Sequence, residues 1–327
     1  MIRAALDVSP LIQTRAGTAR YLKALLRELR GRDDVDVKTV SFGRADRLST
    51  LARDAVWYPF ALGRTRGADV LHCPTYRGPL RSGSPLVVTV HDLAVFRHPE
   101  AFNRWTRAYS PHIVPRVLGT ARRIIAVSEF TRRELVELLH VPDEKICVVP
   151  NGVDDDFTPD GPAADGEYVL AVGTLEPRKN LARLVEAARR NKLELRIVGA
   201  RGWGNVEVGG NGVRWLGEVT DAELARQYRG ARCVAYPSLY EGFGIPVLEA
   251  MACGAPVVTS RATAMEEVAD GAAVLVDPND PAELAAGIER AAAQRTELVA
   301  HGLERARAFR WDAIADATVA VYREATA

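Results

Sequence analysis

The chain is poor in cysteine, and its four cysteines lie far apart. Cys73, Cys147, Cys233 and Cys253 form no CxxC pair and no Cys/His spacing among 327 residues. This scatter argues against a zinc site and against a disulfide framework. Three of the four lie in or beside apolar runs, so we expect buried, reduced thiols.

Long hydrophobic runs are also missing. No apolar stretch is long enough to cross a bilayer, and the opening residues MIRAALDVSP are typical of a first strand rather than a signal peptide. We therefore expect a cytoplasmic protein.

The hydrophobic content of 47% and charged content of 26% are those of a globular enzyme, and 327 residues exceed what one core usually holds. Two domains are expected.

The net charge is only +1, but the charges are unevenly distributed. Residues 1–133 carry 23 Lys and Arg against 11 Asp and Glu, whereas the remaining residues carry 20 against 31. Either the surface reflects an Arg-rich genome, or the first half meets an anionic partner such as a phosphate-bearing acceptor or a membrane. No nucleic-acid partner is expected. The cations behind the second interpretation are Arg97, Arg104, Arg107, Arg116, Arg122 and Arg123 around one predicted helix and Lys23, Arg27 and Arg30 on the face of another.

Strand-like and helix-like segments alternate along the whole chain. Short apolar runs bounded by turn residues predict parallel strands that are buried on both faces. These runs are 3–8, 35–41, 69–73, 86–90, 123–127 and 146–149, followed by 168–172, 194–198, 213–216, 233–236, 256–259 and 273–276. The pattern predicts an α/β protein with two doubly wound, Rossmann-like domains, 1–160 and 161–309, joined by a polar linker at 154–166. Ligands of such domains bind at the carboxyl ends of the strands.

Residues 236–259, YPSLYEGFGIPVLEAMACGAPVVT, combine a strand, a glycine-rich turn and a helix start. The turn Gly242-Phe243-Gly244 can present backbone N–H groups, and Pro246 suits the first turn of a helix. Glu241 lies at the mouth of the turn and Glu249 about one turn into the helix. Both carboxylates can therefore face one ligand, with Glu241 holding sugar hydroxyls and Glu249 a ribose.

The spacing Glu241-x7-Glu249 around GFG resembles the retaining glycosyltransferases of family 4, which have the GT-B fold. Four other segments match this family in the right order: VTVHDLAVFRHPE, AVSEFT, VVPNGVD and VGTLEPRKN. The last looks like the Glu-Pro-Arg-Lys-Asn branch, which includes bacterial mannosyltransferases of polysaccharide assembly. The resemblance covers nearly the whole chain. It implies two domains facing a central cleft and a C-terminal helix, 310–327, that packs on the first domain.

Arg178 and Lys179 are the expected cations for a diphosphate leaving group. They come directly before a helix that begins at Asn180, so their charges and the helix N-terminus act at the same place. Both would stabilise negative charge as it forms on the leaving group. The family more usually has a basic residue where Thr174 stands here, and Arg178 looks like its replacement.

The resemblance implies further donor contacts. Gly17 is similar to the family's N-terminal glycine loop, although a glycine that merely starts a helix is the alternative. His91 matches a position that contacts the donor sugar; as a general base oriented by Asp92 it would make the enzyme inverting. The implied donor-binding residues are Gly17, Thr174, Arg178, Lys179, Glu241, Gly242, Phe243, Gly244, Leu248 and Glu249.

The resemblance implies a retaining transfer of a hexose to a hydroxyl of a glycan, a lipid-linked or a small-molecule acceptor. GDP-mannose is the favoured donor, with UDP- and dTDP-hexoses as alternatives. No cofactor and no metal are expected, and Asp154-Asp155-Asp156 is interpreted as a solvated hinge. Two rival hypotheses remain: a nucleotide-sugar 2-epimerase-like enzyme, which the Glu-Pro-Arg-Lys-Asn segment argues against, and a non-catalytic nucleotide-sugar-binding protein.

Overall fold

The computed structural model describes residues 1–13, 17–202 and 209–327. The chain divides into two compact units: unit 1 comprises Met1–Gly152 with Trp311–Ala327, and unit 2 comprises Val153–Arg310. Each unit contains one six-stranded sheet in which all strand pairs are parallel. Among the described residues, no helix is both long enough and apolar enough to cross a bilayer.

The sheet of unit 1 has the strand order β2-β1-β3-β4-β5-β6. Its strands are β1 (Ile2–Asp7), β2 (Val35–Val40), β3 (Val70–Cys73), β4 (Leu86–Val90), β5 (Arg123–Ala126) and β6 (Ile146–Val148). Its helices are α1 (Pro10–Gln13), α2 (Gly17–Arg30), α3 (Arg47–Ala52), α4 (Ala94–Arg97), α5 (Arg104–Thr120) and α6 (Glu129–Leu139), with a π-helix at Arg53–Ala61. Successive residues of a strand point to opposite faces, so Ala4 and Leu6 join one core cluster and Ala5 joins another.

The sheet of unit 2 has the strand order β12-β11-β10-β7-β8-β9. Its strands are β7 (Tyr168–Val172), β8 (Glu194–Val198), β9 (Val213–Gly217), β10 (Cys233–Tyr236), β11 (Val257–Ser260) and β12 (Val274–Val276). Its helices are α7 (Leu181–Arg190), α8 (Asp221–Gly230), α9 (Ile245–Ala252), α10 (Ala264–Ala269), α11 (Pro281–Ala293) and α12 (Arg295–Arg307). The order reverses between β7 and β10, which is where doubly wound sheets bind ligands.

The last helix, α13 (Trp311–Thr326), belongs to unit 1, although unit 2 precedes it in the chain. Its apolar face, which includes Ile314, Val319 and Tyr322, packs in the same core cluster as Leu22 and Leu25 of α2. The amphipathic spacing of 310–327 predicts this helix, and its predicted return to the first domain is confirmed.

The polar stretch after Gly152 packs on unit 2. Phe157 is buried, with its ring edge-on to Tyr228 at 5.9 Å between centroids, and Arg229 donates hydrogen bonds to the carbonyls of Thr158 and Pro162. The sequence places the end of the first domain at 160 and a linker at 154–166. In the structure, unit 2 begins at Val153, because Phe157 and the Arg229 hydrogen bonds anchor this polar segment.

Candidate active site

The candidate site of unit 2 lies where β7 and β10 end side by side. A one-turn helix, Pro177–Lys179, follows β7 and brings Arg178 and Lys179 to this edge. Asn180 fixes the turn: it is buried, adopts a left-handed backbone with φ of 59°, and its Nδ2 donates to the carbonyls of Pro237 and Pro278 at 3.1 and 2.6 Å. Asn tolerates this conformation better than most residues. Asn180 thereby ties the turn to the loop after β10.

Three of the residues predicted from the sequence meet in one ion-pair cluster. The Lys179 Nζ lies 2.6 Å from Glu241 Oε1, and an Arg178 guanidinium nitrogen lies 2.8 Å from Glu241 Oε2. The other side of the guanidinium pairs with Glu176 at 2.7 Å, and Nη1 donates to the Tyr240 carbonyl at 2.6 Å. A single carboxylate therefore joins both cations that are predicted to bind a diphosphate.

The electrostatics of the cluster are set by partial burial and close opposite charges. Burial alone would raise the pKa of Glu241, but Lys179 and Arg178 outweigh it and lower that pKa to about 2. Burial opposes the charged form of Lys179, yet the Glu241 carboxylate raises the Lys179 pKa above its usual value. All three groups are therefore charged at neutral pH.

Tyr236, at the end of β10, is a member of the cluster that was not predicted from the sequence. Its hydroxyl lies 2.6 Å from Lys179 Nζ and 3.1 Å from Glu241 Oε1. Burial, and after it the Glu241 carboxylate, raise the Tyr236 pKa to about 12, so this hydroxyl keeps its proton and can donate to Glu241. The sequence signal that could have identified Tyr236 is its position at the carboxyl end of a strand beside the switch point.

Glu249 has a different environment from Glu241. It lies within α9 and is 2% exposed, and its Oε2 accepts a hydrogen bond of 2.9 Å from the Tyr228 hydroxyl of α8. The two carboxylates that share one sequence motif are therefore held by separate sets of partners.

The glycine turn between the two carboxylates is tight. Gly244 has φ of 102°, and a Cβ there would lie 2.9 Å from Met265 Cγ. The Phe243 ring packs edge-on against Phe309 at 5.9 Å, and Leu248 is fully buried. The side chains of Phe243 and Leu248 are thus used in packing, and Gly242 and Gly244 have none, so the backbone N–H groups are what these four residues can offer a ligand.

A second glycine contact brings together the loops that follow β7 and β8. Gly199 has φ of 150°, and a Cβ there would lie 2.0 Å from the Gly173 carbonyl oxygen. Thr174, the position where the family usually has a cation, is half-buried in the same loop, and its Cγ2 borders Gly202. Only glycine at 199 allows these two strand ends to approach so closely.

His91 lies in unit 1, directly after β4. Its Nε2 is 3.0 Å from the Pro74 carbonyl oxygen, so Nε2 carries the proton, and its ring is edge-on to Tyr21 at 4.8 Å. Burial lowers the His91 pKa, which favours the neutral ring with Nδ1 as an acceptor. Asp92 accepts from the Ala94 N–H, and among the described residues no hydrogen bond joins Asp92 to His91.

A buried polar chain lies beside His91. The His72 ring joins the Tyr322 hydroxyl at 2.7 Å and the Thr89 hydroxyl at 2.8 Å, and Thr89 also contacts the Tyr21 hydroxyl at 3.1 Å. Burial lowers the His72 pKa to about 3. These neutral hydrogen bonds fix Tyr21, against which His91 packs.

Gly17 is the exposed first residue of α2, and its neighbours 14–16 lie outside the described residues. Within the described part of the chain, no group of three or more His, Cys, Asp or Glu side chains is arranged to hold a metal ion.

Two family profiles match this chain. One, described as Glycosyltransferase Family 4, matches residues 15–157, and the other, Glycosyl transferases group 1, matches residues 166–294. Together they cover the principal segments of both units.

Individual proteins of known sequence or structure are also similar to this chain, and those similar in sequence are glycosyltransferases. O-antigen chain mannosyltransferase B of Escherichia coli is 34% identical over 282 residues, which are 78% of this chain and 74% of that protein. D-inositol 3-phosphate glycosyltransferase of Kineococcus radiotolerans is 32% identical over 292 residues, 74% of this chain and 66% of that protein. The structure of Anabaena HepE in complex with UDP and glucose has a TM-score of 0.75 at 19% identity and covers 98% of each chain, so the GT-B fold is confirmed.

Proposed function

This chain belongs to glycosyltransferase family 4, and we propose that it transfers a hexose, with retention of configuration, from a nucleotide-diphosphate sugar to an acceptor hydroxyl. The observation that carries the proposal is the cluster of Lys179, Arg178 and Glu241 at the switch point of unit 2. Two cations held beside a carboxylate suit a ligand that offers both phosphates and hydroxyls.

The two cations bind the donor diphosphate and stabilise it as it leaves. Without a donor, Glu241 pairs with both cations and Glu176 pairs with Arg178. When a donor binds, phosphate oxygens contact Lys179 and Arg178, and Glu241 becomes free to accept hydrogen bonds from the sugar hydroxyls. Negative charge develops on the diphosphate as the glycosidic bond breaks, so fixed cations stabilise the transition state more than the ground state. Arg178 and Lys179 supply this charge without a metal.

Retention follows if the acceptor attacks from the face that the diphosphate leaves. The departing phosphate oxygen then takes the acceptor proton, the C–O bond to the acceptor forms, and no protein base is needed. His91, with its neutral ring and its Nδ1 as acceptor, is assigned a contact with a sugar hydroxyl. Glu249, held by Tyr228, is assigned to the ribose.

We favour GDP-mannose as the donor because the E. coli relative is a mannosyltransferase, and we assign this chain to the Glu-Pro-Arg-Lys-Asn branch. The acceptor is a glycan, a lipid-linked or a small-molecule hydroxyl compound. An anionic acceptor, such as the inositol phosphate in the name of the Kineococcus relative, suits the net positive charge of unit 1, which contains 25 Lys and Arg and 18 Asp and Glu.

The proposal is tested by incubating the protein with GDP-mannose, UDP-glucose or a dTDP-hexose, with and without D-inositol 3-phosphate or extracted membrane lipids. Release of nucleoside diphosphate should require an acceptor, and NMR of the product should show the anomeric configuration of the donor. Release without acceptor, with an altered free sugar, would instead identify a 2-epimerase-like enzyme. An inverted product would assign His91 as a general base.

A further inference from the structure

The segment 48–61 of unit 1, formed by most of α3 and the π-helix, has inverted polarity. Every exposed residue in it is apolar: Leu48, Leu51, Ala55, Val56 and Phe60. Leu48 is 79% exposed and Phe60 58%, whereas the charged residues Arg53 and Asp54 are 0% and 1% exposed. A helical surface segment of a globular protein normally shows the opposite arrangement.

Polar contacts, rather than the exposed apolar side chains, hold this segment in place. Arg53 donates to the Phe42 carbonyl at 3.1 Å and to the Thr50 hydroxyl at 3.2 Å. Asp54 pairs with Arg77 at 2.9 Å and accepts from Trp105 Nε1 at 3.2 Å. The outward apolar side chains are thus available for contact with something outside the unit.

A basic cleft begins beside the apolar face. The cleft has a volume of about 1100 Å³ and is lined by Phe60, Arg64, Arg66, Arg81, Ser82 and Ser84, among others. Four arginines line it. Arg3 pairs with Asp69, whereas Arg64, Arg66 and Arg81 are exposed, and within the described ranges none of these three side chains has an ion pair or hydrogen bond. The cations expected from the sequence differ from these: Arg97 pairs with Glu134 at 2.6 Å, and Arg123 pairs with Glu324 at 3.1 Å.

We propose that the apolar face, Leu48 to Phe60, inserts into the interface of an anionic lipid bilayer while Arg64, Arg66 and Arg81 bind lipid phosphates. Helices that lie in a membrane interface combine these two features, an apolar face and adjoining cations. A second copy of this chain fits less well, because a two-fold contact around Phe60 brings the unpaired arginines of both copies together.

Co-sedimentation with vesicles tests the proposal. The full chain should bind vesicles of equal parts phosphatidylcholine and phosphatidylglycerol, should not bind phosphatidylcholine alone, and should dissociate as salt rises. Leu48→Ser/Phe60→Ser should weaken binding by roughly tenfold or more, because it removes apolar area that lipid covers. Val136→Ser is the matched control: Val136 is also exposed, on α6, and this change should leave binding unaltered.

A second pair of variants tests the cations. Replacing Arg64, Arg66 and Arg81 by Gln should weaken binding by about fivefold per arginine. Lys23→Gln/Arg30→Gln is the control. These two residues lie on α2, which packs on the face of the sheet opposite to the face that Tyr58 and Leu62 cover. The control variant should bind vesicles like the unaltered chain. All altered positions are exposed, and thermal unfolding should be unchanged.

Three results would overturn the proposal. One is no binding to either vesicle, and another is equal binding to both that the Leu48→Ser/Phe60→Ser change does not affect. The third is light scattering that shows a dimer, abolished by the same change, with no binding to vesicles. Since no donor or acceptor is present in the assay, these outcomes leave the transferase proposal untouched.

Discussion

At the scale of single residues, Tyr236 offers the sharpest test of how the cluster is positioned. Tyr236→Phe removes one hydroxyl that contacts two charged groups, while the buried ring keeps its packing. We expect donor binding or turnover to weaken by roughly 1.5–3 kcal/mol, the scale of a hydrogen bond to a charged partner. Steady-state kinetics with varied donor concentration measures this.

The matched control for Tyr236 is Tyr168→Phe, which removes a buried hydroxyl in the same unit that donates to the Gln227 carbonyl. This control should cost stability but leave donor kinetics unchanged. Equal donor kinetics in Tyr236→Phe and the unaltered chain would remove Tyr236 from the site.

A second residue-scale prediction concerns Asp7, at the carboxyl end of β1. Burial raises its pKa from 3.8 to about 6, although Ser9 donates two hydrogen bonds to Oδ1; Oδ2 has no partner among the described residues. The stability that comes from the neutral carboxyl is fully present below pH 3.8 and is lost as pH rises through about 6. Asp7→Asn should therefore gain stability relative to the unaltered chain as pH rises.

The expected gain for Asp7→Asn between a pH below 3.8 and neutral pH is about 3 kcal/mol of unfolding free energy, from 1.36 kcal/mol for each pKa unit. Urea unfolding of both proteins at several pH values measures it. A difference that does not change with pH would show that Asp7 titrates normally in the folded state.

At the scale of elements, the strand ends depend on glycine. Gly199→Ala places a Cβ 2.0 Å from the Gly173 carbonyl oxygen, at a φ that only glycine adopts readily. We expect this change to lower the free energy of unfolding by at least about 2 kcal/mol and to displace the loop that carries Thr174. Gly209→Ala is the control, since a Cβ there meets nothing within 4 Å. Thermal unfolding compares the two, and equal melting temperatures would contradict the contact.

The strands were predictable from the sequence because parallel strands covered on both faces are continuous apolar runs, as in 168–172 and β7. The segment 48–61 gave no such signal, since its charged residues are inside and its apolar residues outside. Phe157 in a polar stretch likewise gave no sign that the stretch packs on unit 2. These features depend on partners distant in sequence.

The candidate site also has features that were predictable from the sequence and features that were not. The cations at 178–179 and the carboxylate Glu241 were predictable because they occur in recognisable local segments. Their direct pairing was not, because Lys179 and Glu241 are separated by 62 residues, and Tyr236 and Lys179 by 57. Only the switch point between β7 and β10 brings these segments together.

At the scale of the whole molecule, we expect unit 2 to bind the diphosphate of a sugar donor through Arg178 and Lys179. Titration calorimetry tests this claim with GDP and UDP, each titrated into the full chain, into Arg178→Ala/Lys179→Ala and into the control Arg189→Ala/Arg190→Ala. We predict that at least one nucleotide binds the unaltered chain and the control equally, and that the first double variant loses roughly a hundredfold in affinity, about 2.7 kcal/mol. Equal affinity in all three proteins would contradict the claim, and so would binding of neither nucleotide to the unaltered chain.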